Sequence, residues 1–169
     1  HWSRRRQRQM CIRDRAIGCL TFVNNVDKII GPGNDFVARA KQEVFGKVGI
    51  EGMIAGPSEV TVIADESSDL EKVISSLMAQ SEHGINSQSI LITKNKKMIK
   101  RVLSHLKSYL NQLPRKKIIY QSLKKNGLII LTKNKKQIID ATNVISPEHL
   151  EIITNDYKKY VDKIYNAGS

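Results

Sequence analysis

Residue types that could do chemistry gather at a few places in this sequence. Gly31-Pro32-Gly33-Asn34 joins an apolar run to a helical one. Glycines at such a turn let backbone approach a ligand, and the free N–H groups of the following helix suit an anion such as a pyrophosphate, with Asn34 placed to cap that helix. The pattern is not GxGxxG, and turns of this kind are more often purely structural. Gln80 and His83 stand three apart near the end of a helical stripe, about 60° from each other around the helix. Two polar groups at the lip of an apolar face can line a cleft and share a metal. The plainer alternative is a histidine favoured by the C-terminal helix dipole, with Gly84 as C-cap. Ser146-Pro147-Glu148-His149-Leu150 reads as an N-cap serine, a proline at the first helical position, then a carboxylate and an imidazole in the first turn. That pair suits acid–base work; the alternative is a glutamate that only complements the dipole beside a surface histidine. Ser58, in Gly56-Pro57-Ser58-Glu59, has no histidine at triad-like spacing, which disfavours a hydrolase. His105 sits among lysines and is given no role.

The elements that must position these residues follow from periodicity. Glu59–Ala64 (EVTVIA), Ser89–Thr93 (SILIT) and Leu128–Leu131 (LIIL) are short, β-branched apolar runs, as expected of parallel strands buried on both faces. Leu70, Val73, Ile74, Leu77 and Met78 recur at helical spacing behind Asp69, and Met98, Ile99, Val102, Leu103, Leu106 and Leu110 form a second stripe, after which Pro114 ends the helix or opens the next segment. A further helix is predicted near Asn134–Val144. The stretches LITKNKKMIK and ILTKNKKQII repeat one strand–turn–helix unit, which with the crossover rule predicts a doubly wound, parallel-sheet α/β fold. Upstream, Val26–Ile30 reads as a strand and Asp35–Phe45 as a helix. The glycine-rich stretch from Gly46 to Pro57 reads as a loop crossing between domains.

The 169 residues carry a formal net charge of +12, distributed unevenly. Residues 1–15 hold six arginines and no lysine, whereas the remainder holds 19 lysines and only Arg39, Arg101 and Arg115. Two such different basic vocabularies mark residues 1–15 as a leader foreign to the body, closer to translated adaptor sequence than to a signal peptide or a nucleic-acid arm. An independently cloned gene encoding the same leader would refute that. Without the leader the body keeps +7, mostly lysines outside the helix stripes. Scattered lysines, few aromatics and no reading motif argue against a nucleic-acid-binding α/β protein. No run approaches the roughly 20 apolar residues of a membrane span, and the two cysteines, Cys11 and Cys19, lack metal or disulfide spacing. A reducing, cytoplasmic setting is the expectation.

Taken in order, VDKIIGPGN, FVARAKQEVFG, IEGMIAGPSEV, AQSEHG, SQSILIT and SPEHLE closely resemble the histidinol dehydrogenase family from about Ala16 to Ser169. The resemblance implies part of an NAD-side Rossmann-like domain over 16–57 and an incomplete Rossmann-like domain bearing the site over 58–169. It implies a zinc- and NAD-dependent homodimer that oxidises L-histidinol through histidinal to L-histidine. It further implies Gln80 and His83 as zinc ligands that also face the substrate, Glu148 as the glutamate that activates water, His149 as general base and substrate contact, Ser58 as a substrate contact and Asn34 as an NAD contact. The family's pattern departs at Arg15, where a glutamine that contacts NAD is usual, and between Phe22 and Val26, which is a few residues short. Two further zinc ligands of the family, an aspartate and a histidine, lie beyond Ser169 in its pattern. The expectation is therefore a fragment inactive as an isolated chain. A non-catalytic relative that keeps the fold as a binding module is the other alternative, disfavoured by the presence of Gln80, His83, Glu148 and His149 together.

Overall fold

A computed structural model describes residues 14–31, 33, 35–51 and 58–169. It divides into two compact units, His1–Gly56 and Pro57–Ser169, each taken by itself.

In the first unit a helix over 14–22 (α1) precedes β1 (Lys28–Ile30), α2 (Asp35–Glu43) and β2 (Gly49–Glu51), and the two strands pair in parallel. Ile17, Ile29, Val37, Val44 and Val48 form its small core. The strand β2 corrects the reading of 46–57 as loop throughout. Gly49 does not weaken an element here: its N–H donates to the Asp27 carbonyl at 2.9 Å, and a Cβ on it would meet that same oxygen at 3.0 Å. Close backbone approach, a use of glycine that periodicity does not reveal, is what lets β2 dock.

The second unit is a four-stranded parallel sheet in the order β5-β4-β3-β6, built from β3 (Glu59–Ala64), β4 (Gln88–Thr93), β5 (Gly127–Leu131) and β6 (His149–Ile153). Its helices are α3 (Leu70–Glu82), α4 (Lys96–Asn111), α5 (Lys116–Asn126), α6 (Lys135–Ile145) and the short α7 (Lys158–Val161). Side chains alternate across a strand, so Val60, Val62 and Ala64 of β3 join α3, α4 and α5 in one core, while Ile63 joins Ile138 of α6 and Tyr160 of α7 in another. Helices on both faces explain why β3 and β4 read as unbroken apolar runs. The chain steps outward from β3 to β4 to β5, then returns to lay β6 on the other side of β3, which is the Rossmann-like, doubly wound arrangement. The repeated Thr-Lys-Asn-Lys-Lys segments are equivalent turns. Asn95 caps α4 by accepting the Lys97 and Met98 N–H groups at 2.8 and 3.3 Å, and Asn134 caps α6 by accepting the Gln137 N–H at 2.9 Å.

Candidate active site

Connectivity decides which residues meet. In a βα unit the strand runs one way and its helix returns, so each helix ends where the next strand begins. Ser58 directly precedes β3, Gln80 and His83 end α3, and Glu148 and His149 open β6. Every site residue assigned to this unit thus lies at the amino end of the sheet.

The Ser146–Leu150 segment reaches that end differently from the sequence prediction. It ends α6 and opens β6, instead of starting a helix. Ser146 adopts a left-handed conformation (φ 51°, ψ 57°) as the C-cap of α6, its N–H donating to the Thr142 carbonyl at 2.9 Å. Pro147, without an N–H, cannot continue the helix, and the run that follows it pairs with β3, His149 opposite Val60. Serine and proline are common at both ends of helices, and periodicity could not choose between them.

Glu148 and His149 are both exposed and held from several sides. The Glu148 carboxylate accepts the Glu59 N–H at 3.3 Å, and the Glu59 carboxylate accepts the Glu148 N–H at 3.2 Å. His149 Nδ1 lies 2.8 Å from the Ser169 hydroxyl, which donates to the Glu148 carbonyl at 3.2 Å. The hydroxyl has one proton and spends it on that carbonyl, so all three atoms are satisfied when Nδ1 carries the imidazole proton. The lone pair is then on Nε2, which faces Glu148 Oε1 at 3.8 Å. That separation exceeds a hydrogen bond, so neither atom spends its bonding capacity on the other.

Gln80 is buried, with its amide nitrogen unpartnered, whereas His83 is exposed. His83 itself is the C-cap of α3, its N–H donating to the Gln80 carbonyl, so the cap is not Gly84. The end of α3 is fixed from beneath by the Ser81 hydroxyl, which donates to the Leu77 carbonyl and lies 2.8 Å from the Ser89 hydroxyl of β4. The loop after His83 is held by α5: Ser122 donates to the Ser87 carbonyl at 2.8 Å, and Asn126 donates to the carbonyls of Ile85 and Ser87. Sequence reasoning left residues after Pro114 unassigned, although Ile118, Ile119, Ser122 and Leu123 recur at helical spacing.

The unpartnered atom of Gln80 is its amide nitrogen, a hydrogen-bond donor, so only the amide oxygen could join the His83 imidazole in a metal's ligand set. Zinc prefers four donors, and among the described residues no group of three or more His, Cys, Asp and Glu lies together.

In the first unit, Asn34 falls outside the described residues. Around it, Gly31 takes a φ of +126° and its carbonyl accepts a bond from the buried Lys41 ammonium, while a Cβ on Gly33 would strike Val37. Both glycines are therefore needed to bring the turn against α2.

At the carboxyl end of the sheet, where doubly wound folds usually bind ligands at the strand-order reversal, the chain bonds to itself across that boundary. Between β3 and β6, Ser68 donates to the Ile153 carbonyl and accepts the Asp65 N–H, and Ser67 accepts the Asn155 N–H. Beside them Asp156 is gripped by Lys135 and Lys159, each at 2.7 Å, and the two ammonium hydrogen bonds, Lys135 first, pull its carboxyl down to about 2.

Residues 13–169 match the family model for histidinol dehydrogenase. The chain belongs to that family. It is 53% identical to the histidinol dehydrogenase of Pelagibacter ubique over 147 residues, 87% of this chain and 34% of that protein. It is 45% identical to the one from Clostridium acetobutylicum over 159 residues, 92% of this chain and 37% of that protein. The crystal structure of histidinol dehydrogenase from Elizabethkingia anophelis superposes with a TM-score of 0.81 at 40% identity, covering 90% of this chain and 36% of that one. A γ-glutamyl phosphate reductase from Thermotoga maritima shares the fold alone, with a TM-score of 0.53 at 18% identity. The chain spans about a third of the length of the curated histidinol dehydrogenases it matches.

Proposed function

We propose that this chain carries the acid–base part of the active site of an enzyme that oxidises L-histidinol through histidinal to L-histidine, the last steps of histidine biosynthesis. The observation that supports this best is the Glu148–His149 pair, held at the amino end of the sheet in a member of the histidinol dehydrogenase family. His149, protonated on Nδ1 and free on Nε2, takes the proton of the substrate alcohol. Glu148, across the 3.8 Å gap, takes a proton from the water that attacks the aldehyde. Gln80 and His83 would hold zinc and face the substrate, and Ser58 contacts the substrate from the start of β3. Bound zinc would fix the substrate's imidazole and amine, and NAD⁺, contacted by Asn34 on the first unit, would accept the hydrides. The working enzyme is a cytoplasmic homodimer with a small-molecule substrate. No helix among the described residues is long and apolar enough to cross a membrane.

The test is NADH formation by the full-length protein given L-histidinol and NAD⁺. The expected result is two NADH per histidinol, lost after chelation and restored by zinc. Absence of NADH from the zinc-loaded protein, with the fold intact by circular dichroism, overturns the proposal.

A further inference from the structure

Where the β3–β6 ladder ends, at Val60 opposite His149, the next residue of each strand continues it with a side chain in place of a backbone carbonyl. Glu59 takes the Glu148 N–H, and Glu148 takes the Glu59 N–H, at 3.2 and 3.3 Å. The arrangement is reciprocal and joins residues 89 apart in the chain. It is also unusual in charge: two carboxylates are brought to one strand end with no lysine or arginine paired to either among the described residues, and with only the His149 imidazole, 3.8 Å from Glu148, near them. Each is instead satisfied by an N–H of the other's backbone, a charge-assisted bond. A carboxylate tied through one oxygen keeps the other free, and the free oxygen of Glu148 is the one that faces His149 Nε2.

We propose that Glu59 is a positioning residue for Glu148. By accepting the Glu148 N–H it fixes the backbone on which that carboxylate is mounted, and by offering its own N–H it fixes the carboxylate's rotamer. This rests on the reading of Glu148 as the group that activates water for the aldehyde step. Glu59 therefore serves the second oxidation more than the first, in which His149 takes the alcohol proton. The acceptor oxygen matters more than the charge, which only strengthens its bond, so glutamine should largely substitute for glutamate at this position and alanine should not.

The experiment compares E59A, E59Q and E148A in the zinc-loaded full-length protein, with single-turnover NADH formation from histidinol and from histidinal followed separately. E59A is expected to lose about 10–100-fold in histidinal oxidation, the range for removal of groups that orient a catalytic side chain, with histidinol oxidation changed far less. E59Q should restore most of the rate. Amide hydrogen exchange at Glu148 should quicken in E59A and remain slow in E59Q, a readout that needs no turnover. Equal loss in both steps together with a lowered Tm, or an E59Q as defective as E59A, would show a structural or charge role and overturn the proposal. Loss in E148A with none in E59A overturns the clamp alone. An E148A that spares histidinal oxidation removes the reading on which the clamp rests, and the proposal with it.

Discussion

At the carboxyl end of the four-stranded sheet, Ser68 donates to the Ile153 carbonyl and Ser67 accepts the Asn155 N–H across the β3–β6 boundary, and Asp156 is held between two lysines. At the amino end, Glu148 and His149 stand exposed with a gap of 3.8 Å between their facing atoms, and Gln80 keeps a buried amide without a partner. One end is crossed by side-chain bonds between neighbouring strands, and at the other a carboxylate and an imidazole stand open to solvent. In most doubly wound folds the strand-order reversal leaves an open crevice at the carboxyl end, and ligands bind there. Here serine hydroxyls bridge that boundary, although Thr154 and Tyr160 nearby keep buried hydroxyls without partners, as Gln80 keeps its amide at the opposite end. The candidate acid and base lie at the end opposite the one that topology alone favours.

The sharpest contrast is expected from one substitution at each end of the full-length protein. His149→Ala should lower kcat for histidinol oxidation by about 10²–10⁴-fold, the usual worth of a positioned general base, with little change in Tm. Ser68→Ala should leave kcat close to wild type and cost about 1–3 kcal/mol of stability, because it strands the Ile153 carbonyl and the Asp65 N–H. Kinetics and urea unfolding on both variants decide this, and a Ser68→Ala protein with impaired kcat at full stability would break the comparison.

The fold was largely legible before the structure because its signals are local. EVTVIA and SILIT are buried strands on both faces, and the twin Thr-Lys-Asn-Lys-Lys turns announce two equivalent helix starts. The site was legible only in part. Gln80 and His83 lie near a helix end that periodicity does find, but nothing local says that Gln80 is buried while His83 is exposed. Glu148 and His149 were placed on the wrong element because Ser-Pro can start or stop a helix, and the deciding contact, pairing of β6 with β3, spans the length of the unit. Glu59 and Ser169 passed unnoticed for the same reason: their partners are 89 and 20 residues distant. Strand β2 was missed because Gly49 serves close approach and not flexibility.

Smaller effects refine the account of the carboxyl end. Alanine at Asn95 or Asn134 should each cost about 1 kcal/mol in urea unfolding, the usual worth of an N-cap. Asn95 should be the more damaging, since it accepts two N–H groups and also donates to Glu66 at 2.8 Å, whereas Asn134 accepts one. Equal losses would mean that the Glu66 contact contributes nothing. The smallest effect concerns acid. The Asp156 carboxyl is lowered to about 2 by its two lysines, so its contribution is present above the ordinary carboxylate range near pH 4 and is lost as pH falls through 2. Asp156→Asn should flatten that acid limb in a pH titration of unfolding, and salt should shrink the difference because the group is solvent-exposed.

The reach of the Glu59–Glu148 pair has a consequence for how the protein comes into being. Strands β3, β4 and β5 can assemble from neighbours in order, each βα unit docking on the last. Strand β6 must instead return to β3, 89 residues back in the chain, and the entropy of that long-range closure is recovered only after the contact forms. Its arrival completes the sheet and fixes against β3 a carboxylate and an imidazole that are already neighbours in the chain. A partly folded chain can therefore hold most of its secondary structure while Glu148 and His149 remain unfixed, and their tie to Glu59 should be the last feature to return on refolding.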